Sequence, residues 1–246
     1  MIKKLIEIMA ACNKCAVLTG AGISAESNVP TFRGKDGLWG KFRAEELATM
    51  DAFMSNSKTV WEWYNWRREL IGKTTPNPGH YALVEMEKLF GTFDLITQNV
   101  DGLHRRAGSK NICEVHGNIT ANKCVDCSAP APENIEIDPD NIPTCRKCGG
   151  RLRPDVVWFG EMLDQKVISA AMDAARASEV FLSIGTSAIV HPAAGLPMMA
   201  KHAGATLVEI NPERTPLTAL ADFYFAEKSG EFLPGLVAKL RETKGE

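Results

Sequence analysis

The chain has 246 residues, 45% of them apolar and 24% charged, with a net charge of -2. This mixture is that of an ordinary globular protein, and a chain of this length buries roughly 70–75% of the surface its unfolded form exposes, so it needs no covalent staples to fold. Scattered Lys and Arg argue against sequence-specific nucleic acid as a ligand, and no apolar run approaches the roughly 20 residues of a membrane span.

At the N-terminus, Leu5, Ile6, Met9 and Cys12 share one helical face. Glu7 interrupts any signal-peptide core, so a cytoplasmic protein is expected. Cys15–Thr19 is a short strand-like run that leads directly into Gly20-Ala21-Gly22-Ile23-Ser24-Ala25. Residues from about 36 to 76 are helix-rich and aromatic. Gly79–Phe90 has helical periodicity, and Phe93–Thr97 is a second strand closed by Gln98-Asn99-Val100-Asp101. Glu114-Val115-His116-Gly117 is a further polar cluster at an expected strand end. Residues 119–153 are polar, bear prolines and carry two cysteine pairs. Alternation then resumes: helix Gln165–Arg176, strand Val180–Ile184 ending in Gly185-Thr186-Ser187, helix Ala193–His202, strand Thr206–Ile210 ending in Asn211-Pro212-Glu213, and helix Glu231–Leu240.

Strands alternating with helices predict right-handed crossovers and a parallel sheet covered on both faces. The expected class is α/β, a Rossmann-like doubly wound sheet whose ligands bind at the C-terminal strand ends. Residues 1–35, 77–118 and 154–246 are assigned to that domain. Residues 36–76 and 119–153 are assigned to a smaller one, made of a helical insertion and a metal ribbon.

Seven cysteines is an odd count, and in a cytosolic chain close pairs favour metal over disulfides. Cys124-x-x-Cys127 and Cys145-x-x-Cys148 are separated by 17 residues, the template of a tetrahedral zinc site. Four thiolates leave no position for an activated water, so the expected single zinc is structural. Cys12-x-x-Cys15 has no second pair nearby and is expected to pack in the core, as is Cys113.

The glycine loop fits the permissive dinucleotide template G-x-G-x-x-G/A, in which glycines let the backbone approach a pyrophosphate. By itself such a loop often only turns a corner. No acidic residue ends a second strand about 20 residues later, as common dehydrogenases have; Pro30-Thr31-Phe32-Arg33-Gly34 follows instead. Each polar strand ending, taken alone, is equally a turn, and His116 alone is equally a core or surface histidine.

Taken together, Thr19 to Ser24, Pro30 to Gly34, Thr97 to Asp101, Val115 to Gly117, the cysteine pairs, Phe159 to Glu161, Gly185 to Ser187 and Asn211-Pro212 resemble the sirtuins in order and spacing, from residue 19 to about 230. The resemblance implies that NAD, consumed as co-substrate, meets an acyl-lysine protein or peptide in a cleft between the two domains. The acyl group would pass from lysine to ADP-ribose with release of nicotinamide. By position, Gly20, Ala21, Gly22, Gly185, Ser187, Asn211 and Ser229 would hold adenosine and phosphates, with Ser24, Ala25, Thr186 and Glu213 also on the cofactor. Phe32 and Arg33 would sit on the cofactor loop, and Asn99 and Asp101, beside Gln98, on the nicotinamide riboside. Asn99 would share the catalytic role with His116, the general base, whose unperturbed pKa near 6.5 suits proton transfer at working pH. Val157, Trp158, Phe159, Gly160 and Glu161 would pair with the substrate backbone as an added strand. Asn28-Val29 before Pro30 and His191 before Pro192 depart from the usual pattern.

Tyr64 and Arg67, three residues apart, share a helix face. A phenol and a guanidinium together would grip a carboxylate. This Tyr-x-x-Arg, with Ala48 as a small pocket residue, resembles the sirtuin subclass that removes succinyl and malonyl groups, with deacetylation retained. A solvated Arg beside a core Tyr has the same spacing. An NAD-dependent oxidoreductase with a zinc lobe, a zinc-ribbon scaffold and an ADP-ribosyl transferase are the competing readings. A monomer is expected.

Overall fold

The computed structural model describes residues 1–32, 37–132 and 138–245, with the Trp39 side chain left aside. Six parallel strands form the main sheet in the order β3-β2-β1-β6-β7-β8. They are β1 (Lys14–Thr19), β2 (Thr92–Thr97), β3 (Ile112–Glu114), β6 (Val180–Ile184), β7 (Thr206–Ile210) and β8 (Phe223–Phe225). A two-stranded antiparallel sheet pairs β4 (Gly117–Cys124) with β5 (Leu152–Val156). The doubly wound architecture is as expected from the alternating pattern.

The central strands are mostly apolar because both of their faces are covered, with Ser183 and Glu209 as buried polar exceptions. Val17, Leu95, Leu182 and Val208 point to one side, onto helices α1 (Ile2–Ala11), α6 (Pro78–Glu87) and α10 (Ser229–Lys244). Ala16, Leu18, Ile96, Phe181 and Leu207 point to the other, onto α8 (Gln165–Ala177) and α9 (Leu196–His202). Side chains alternate along each strand, so adjacent residues enter different cores. Cys15 packs in the first of these cores, with Cys12 against it, and Cys113 is packed against the second.

The chain runs outward from β1 through β2 to β3, then returns to build β6, β7 and β8 on the other side of β1. The order therefore reverses between β1 and β6. The loops after those two strands part there and leave a crevice, where open α/β sheets bind ligands.

Short helices α2 (Ala21–Ala25), α3 (Ala44–Leu47) and α4 (Met50–Ser55) precede α5 (Ser57–Gly72). Asn56 caps α5, its Oδ1 accepting from Thr59 N at 3.1 Å. Trp61 and Arg68, two turns apart, tie this helix to the small sheet. The Trp61 indole donates to Leu152 O at 3.1 Å, and Arg68 donates to Ile119 O at 2.6 Å and to Asn122 Oδ1 at 2.7 Å. Phe53, Val60, Trp61, Tyr64, Ile119, Val156 and Trp158 form a third apolar cluster between helix and ribbon. Among the described residues, no helix is long and apolar enough to cross a membrane.

Leu182 lies fully buried in the strand beside the crevice. Leu182→Ala should cost about 2–5 kcal/mol. At about 2–4 °C per kcal/mol for a chain of this size, the melting midpoint should fall by roughly 4–20 °C in a thermal melt.

Candidate active site

A cleft of about 1220 Å³ opens where β1, β2, β6 and β7 end, walled on its far side by α5 and by the segment after β5. Small-molecule sites commonly occupy roughly 300–1,000 Å³, so there is room for two ligands. Its floor is backbone. A Cβ on Gly22 would come within 2.6 Å of Gly185 Cα and 2.7 Å of Gly185 O, and one on Gly20 within 2.8 Å of Gly185 O. Gly22 N donates to Gly185 O at 2.8 Å, so the turn after β1 and the turn after β6 touch main chain to main chain. The sequence needs glycine at all three positions for this contact. No side chain then stands between the floor and a ligand's phosphates, and the residues present fit a dinucleotide.

Of the cofactor residues expected from sequence, Gly20, Ala21, Gly22, Ala25, Phe32, Gln98, Asn99, Gly185, Thr186, Ser187, Asn211 and Glu213 line this one cleft. Several are fixed by bonds between strand ends. Gln98 Nε2 donates to Thr186 Oγ1 at 2.9 Å, Asn211 Nδ2 to Thr186 O at 2.8 Å, and Asn99 Nδ2 to Gly20 O at 3.0 Å.

Three others lie behind the wall. Asp101 is buried, its carboxylate accepting from Ser24 Oγ and Leu103 N, each at 2.8 Å. Burial pushes its pKa up, against those hydrogen bonds and the nearby Arg67. Ser24 joins Asp101 to Asn99, whose Nδ2 is 3.2 Å away. Ser229 Oγ donates to Glu26 Oε1 at 3.0 Å, and Glu26 itself reaches the cleft. Ser24, Asp101 and Ser229 therefore support lining residues rather than line the cleft. Arg33 lies outside the described residues.

His116 occupies the two-residue link between β3 and β4, where the chain leaves the large sheet for the small one. Val115 N donates to Thr97 O at 3.0 Å and Val157 N to His116 O at 2.9 Å, so both sheets grip the link. Gly117 follows at φ +80°, with Asp155 O where a Cβ would stand. The ring meets Gln98 O through Nδ1 at 3.1 Å. A carbonyl only accepts, so Nδ1 carries the hydrogen of the neutral ring and Nε2 keeps its lone pair. Burial lowers the His116 pKa, the Gln98 bond opposing it, and the ring is held neutral.

His80 and His104 were given no role from sequence, since neither sits in a motif. Both lie buried behind the same loops. His80 Nε2 is 3.5 Å from Ser24 Oγ, and His104 Nε2 is 2.9 Å from Thr19 Oγ1. Burial lowers their pKa values to about 4 and about 3, so they serve as neutral struts. Arg153 was also missed. It pairs with Glu161, and its one sequence signal is that, with Asp155, it puts a charge into the otherwise apolar stretch from Leu152 to Phe159.

On the far wall, Tyr64, Arg67, Ala48, Val157, Trp158, Phe159, Gly160 and Glu161 all line the cleft. Arg67 is buried, not the solvated arginine that its spacing also allowed. Its guanidinium lies 4.9 Å from the ring centroids of both Phe32 and Trp63. Among the described residues no carboxylate pairs with it. The segment 157–161 differs from a free strand edge. Val157 N and Phe159 N donate to His116 O and Ala48 O, each at 2.9 Å, and Trp158 N donates to Glu161 Oε2 at 2.8 Å. A peptide laid here meets carbonyl oxygens and Gly160 rather than a full set of donors, because the protein's own loops already hold the N–H groups.

The cysteine sulfurs of 124, 127, 145 and 148 all lie within 4.8 Å of one another, with approaches of 3.4, 3.4 and 3.7 Å. Zinc–sulfur bonds of about 2.3 Å make a tetrahedron with edges of about 3.8 Å. The four thiols thus fit one zinc ion, remote from the cleft and without an open position.

A doubly wound sheet with a glycine-floored cleft at its strand ends, and a four-cysteine ribbon apart from that cleft, define a class of protein built to hold a dinucleotide. Residues 20–192 match the model of the Sir2 family. An NAD-dependent protein deacylase of Aquifex aeolicus is 55% identical over 93% of this chain and 95% of its own length. A mutant Sir2 homologue solved with ADP ribose superposes with a TM-score of 0.95 at 45% identity, covering 100% of this chain and 98% of that one. Sir2 solved with a p53 peptide and NAD+ gives a TM-score of 0.84 at 29% identity, covering 100% and 99%. The chain belongs to the Sir2 family.

Cys127→Ser should remove zinc, read as metal content per chain. It should also lower the melting midpoint by several degrees, because among the described residues the ribbon's buried core is the small Cys124, Cys145 and Leu152 cluster.

Proposed function

We propose that this protein is an NAD-dependent protein lysine deacylase that transfers the acyl group of an acyl-lysine peptide to ADP-ribose, acts on succinyl- and malonyl-lysine as well as acetyl-lysine, and uses His116 as general base. One observation carries the reading. A single cleft joins the glycine floor, the Asn99 and Gln98 strand end and a basic imidazole on one side to a buried phenol and guanidinium on the other. The curated and solved relatives support the NAD-dependent part.

NAD, when bound, supplies a ribose that loses nicotinamide and receives the acyl group. The chain's residues do the rest. The glycine floor lies flat against phosphates. Asn99, whose Nδ2 donates to Gly20 O and Ser24 Oγ, has its Oδ1 left to offer the riboside end. His116 takes a proton from a ribose hydroxyl at Nε2, since Nδ1 is committed to Gln98 O. General-base assistance of this kind is worth about 10²–10⁴-fold.

Tyr64 and Arg67 account for the acyl preference. A buried guanidinium stacked on aromatic rings, with no carboxylate partner among the described residues, is an open seat for an anion. Ala48 lines the same cleft with a small side chain. A terminal carboxylate of a succinyl or malonyl group meets that need, and an acetyl methyl does not.

The test is nicotinamide release from acetyl-, succinyl- and malonyl-lysine peptides with NAD; absence of release with all three defeats the proposal. His116→Ala should lower kcat about 10²–10⁴-fold while the fold is retained. In the unaltered protein, turnover should fall with acid, because a protonated imidazole cannot accept a proton. The midpoint of that limb should lie below the ordinary histidine value, since burial lowers the His116 pKa.

Arg67→Met should cut kcat/KM for succinyl-lysine by about 10- to 100-fold, the worth of a charged hydrogen bond lost in a buried site. The acetyl reaction should lose far less. Equal losses for both peptides would remove the acyl preference from the proposal.

A further inference from the structure

We infer that Trp158 is a positioning residue for acyl selectivity, its indole N–H fixing the direction in which the Tyr64 hydroxyl donates. The inference rests on the proposed reading of Tyr64 and Arg67 as the acyl-recognition pair.

Trp158 Nε1 lies 2.9 Å from the Tyr64 hydroxyl oxygen. An indole nitrogen only donates, so the phenol oxygen is the acceptor in this bond. The phenol has one hydrogen of its own, and among the described residues no acceptor takes it. Both rings are nearly sealed, Tyr64 at 1% and Trp158 at 2% exposure, yet both border the cleft. A ligand in the cleft can supply the acceptor that the described residues do not. Burial also raises the Tyr64 pKa, which keeps that hydrogen in place. With its oxygen already engaged by Trp158, Tyr64 faces a ligand as a donor, like the neighbouring Arg67 guanidinium. Two donors match a terminal carboxylate. A freely turning phenol would present either polarity.

The indole cannot turn away. The Arg153 guanidinium lies 3.4 Å from its ring centroid, and Trp158 N donates to Glu161 Oε2 at 2.8 Å. Arg153, itself 2% exposed, pairs with both Glu161 oxygens, with one contact at 2.9 Å, and donates to Val156 O at 2.8 Å. The Arg153–Glu161 pair thus clamps the 153–161 segment at both ends with Trp158 between them. The order of dependence runs from this ion pair to the indole, to the phenol and then to the acyl group.

The experiment measures kcat and KM with acetyl- and succinyl-lysine peptides at saturating NAD. The proteins are the unaltered chain, Arg67→Met, Tyr64→Phe, Trp158→Phe and the Trp158→Phe/Tyr64→Phe pair. Trp158→Phe should lower the succinyl-to-acetyl ratio of kcat/KM by about tenfold, the effect of one buried hydrogen bond, with the loss in the succinyl KM. In the Tyr64→Phe background the same change should leave the ratio where Tyr64→Phe puts it, since a residue acting through the hydroxyl has nothing left to act on. A ratio change of the same size in both backgrounds, or an equal fall in both activities, overturns the inference. Benzothienylalanine at position 158 keeps the ring shape and lacks the N–H. It should reproduce the ratio change, and it decides the matter if Trp158→Phe does not fold. If Arg67→Met leaves the ratio unchanged, the acyl-recognition reading falls and this inference with it. If Arg67→Met lowers the ratio and neither Trp158 variant does, the inference alone is overturned.

Discussion

The contact between the turn after β1 and the turn after β6 sets the geometry of the whole cleft. Gly22 and Gly185 meet main chain to main chain, with no space for a Cβ on either. A side chain at either position would push the two turns apart. Gln98, Asn99, Thr186 and Asn211 bridge neighbouring strand ends by hydrogen bonds of 2.8–3.0 Å. They could not do so if the floor were wider. The glycines thus act less by flexibility than by absence of volume.

Above that floor, the two walls use burial in opposite ways. On the sheet side, desolvation lowers the pKa values of His116, His80 and His104. The imidazoles stay neutral, two as struts and the third, His116, at the cleft with a lone pair on Nε2. On the helix side, Arg67 keeps its charge because a guanidinium is not deprotonated in proteins, and the surrounding aromatic rings stabilise it without neutralising it. A neutral imidazole and a buried guanidinium then face one cleft, and the proposed function rests on that pairing. Arg153 is the contrast on the same wall. Its charge is matched by Glu161, so it stiffens the wall instead of binding across it.

How legible each part was depended on how local its cause is. β6 and β7 are mainly apolar runs closed by Gly185 and by Asn211-Pro212, so their limits were readable to the residue. The zinc ligands were readable because each pair sits within four residues and the chemistry requires no more. β3 and β8, three residues each, are too short for any period to be counted. The pairing of β4 with β5 was hidden because it joins segments on either side of the cysteine ribbon, and their polar residues carry no strand signature. Arg153 escaped notice because its partner lies in a loop whose course the sequence does not specify. The added-strand expectation for 157–161 was narrowed for a similar reason, since which N–H groups are already taken depends on Ala48, His116 and Glu161 arriving beside them.

By itself the sequence determined the alternation that makes a doubly wound sheet, the four metal ligands, the glycine floor and the family. Each of these rests on spacing along the chain, which composition and covalent geometry already constrain. Only the tertiary structure decided which side chains do the facing. It set Asp101, Ser24 and Ser229 behind the wall, committed the His116 Nδ1 hydrogen to Gln98, buried Arg67 without a matching carboxylate among the described residues and joined Trp158 to Tyr64. Those outcomes turn on desolvation and on the direction of single hydrogen bonds between residues far apart in the chain, and neither exists until the chain has closed on itself.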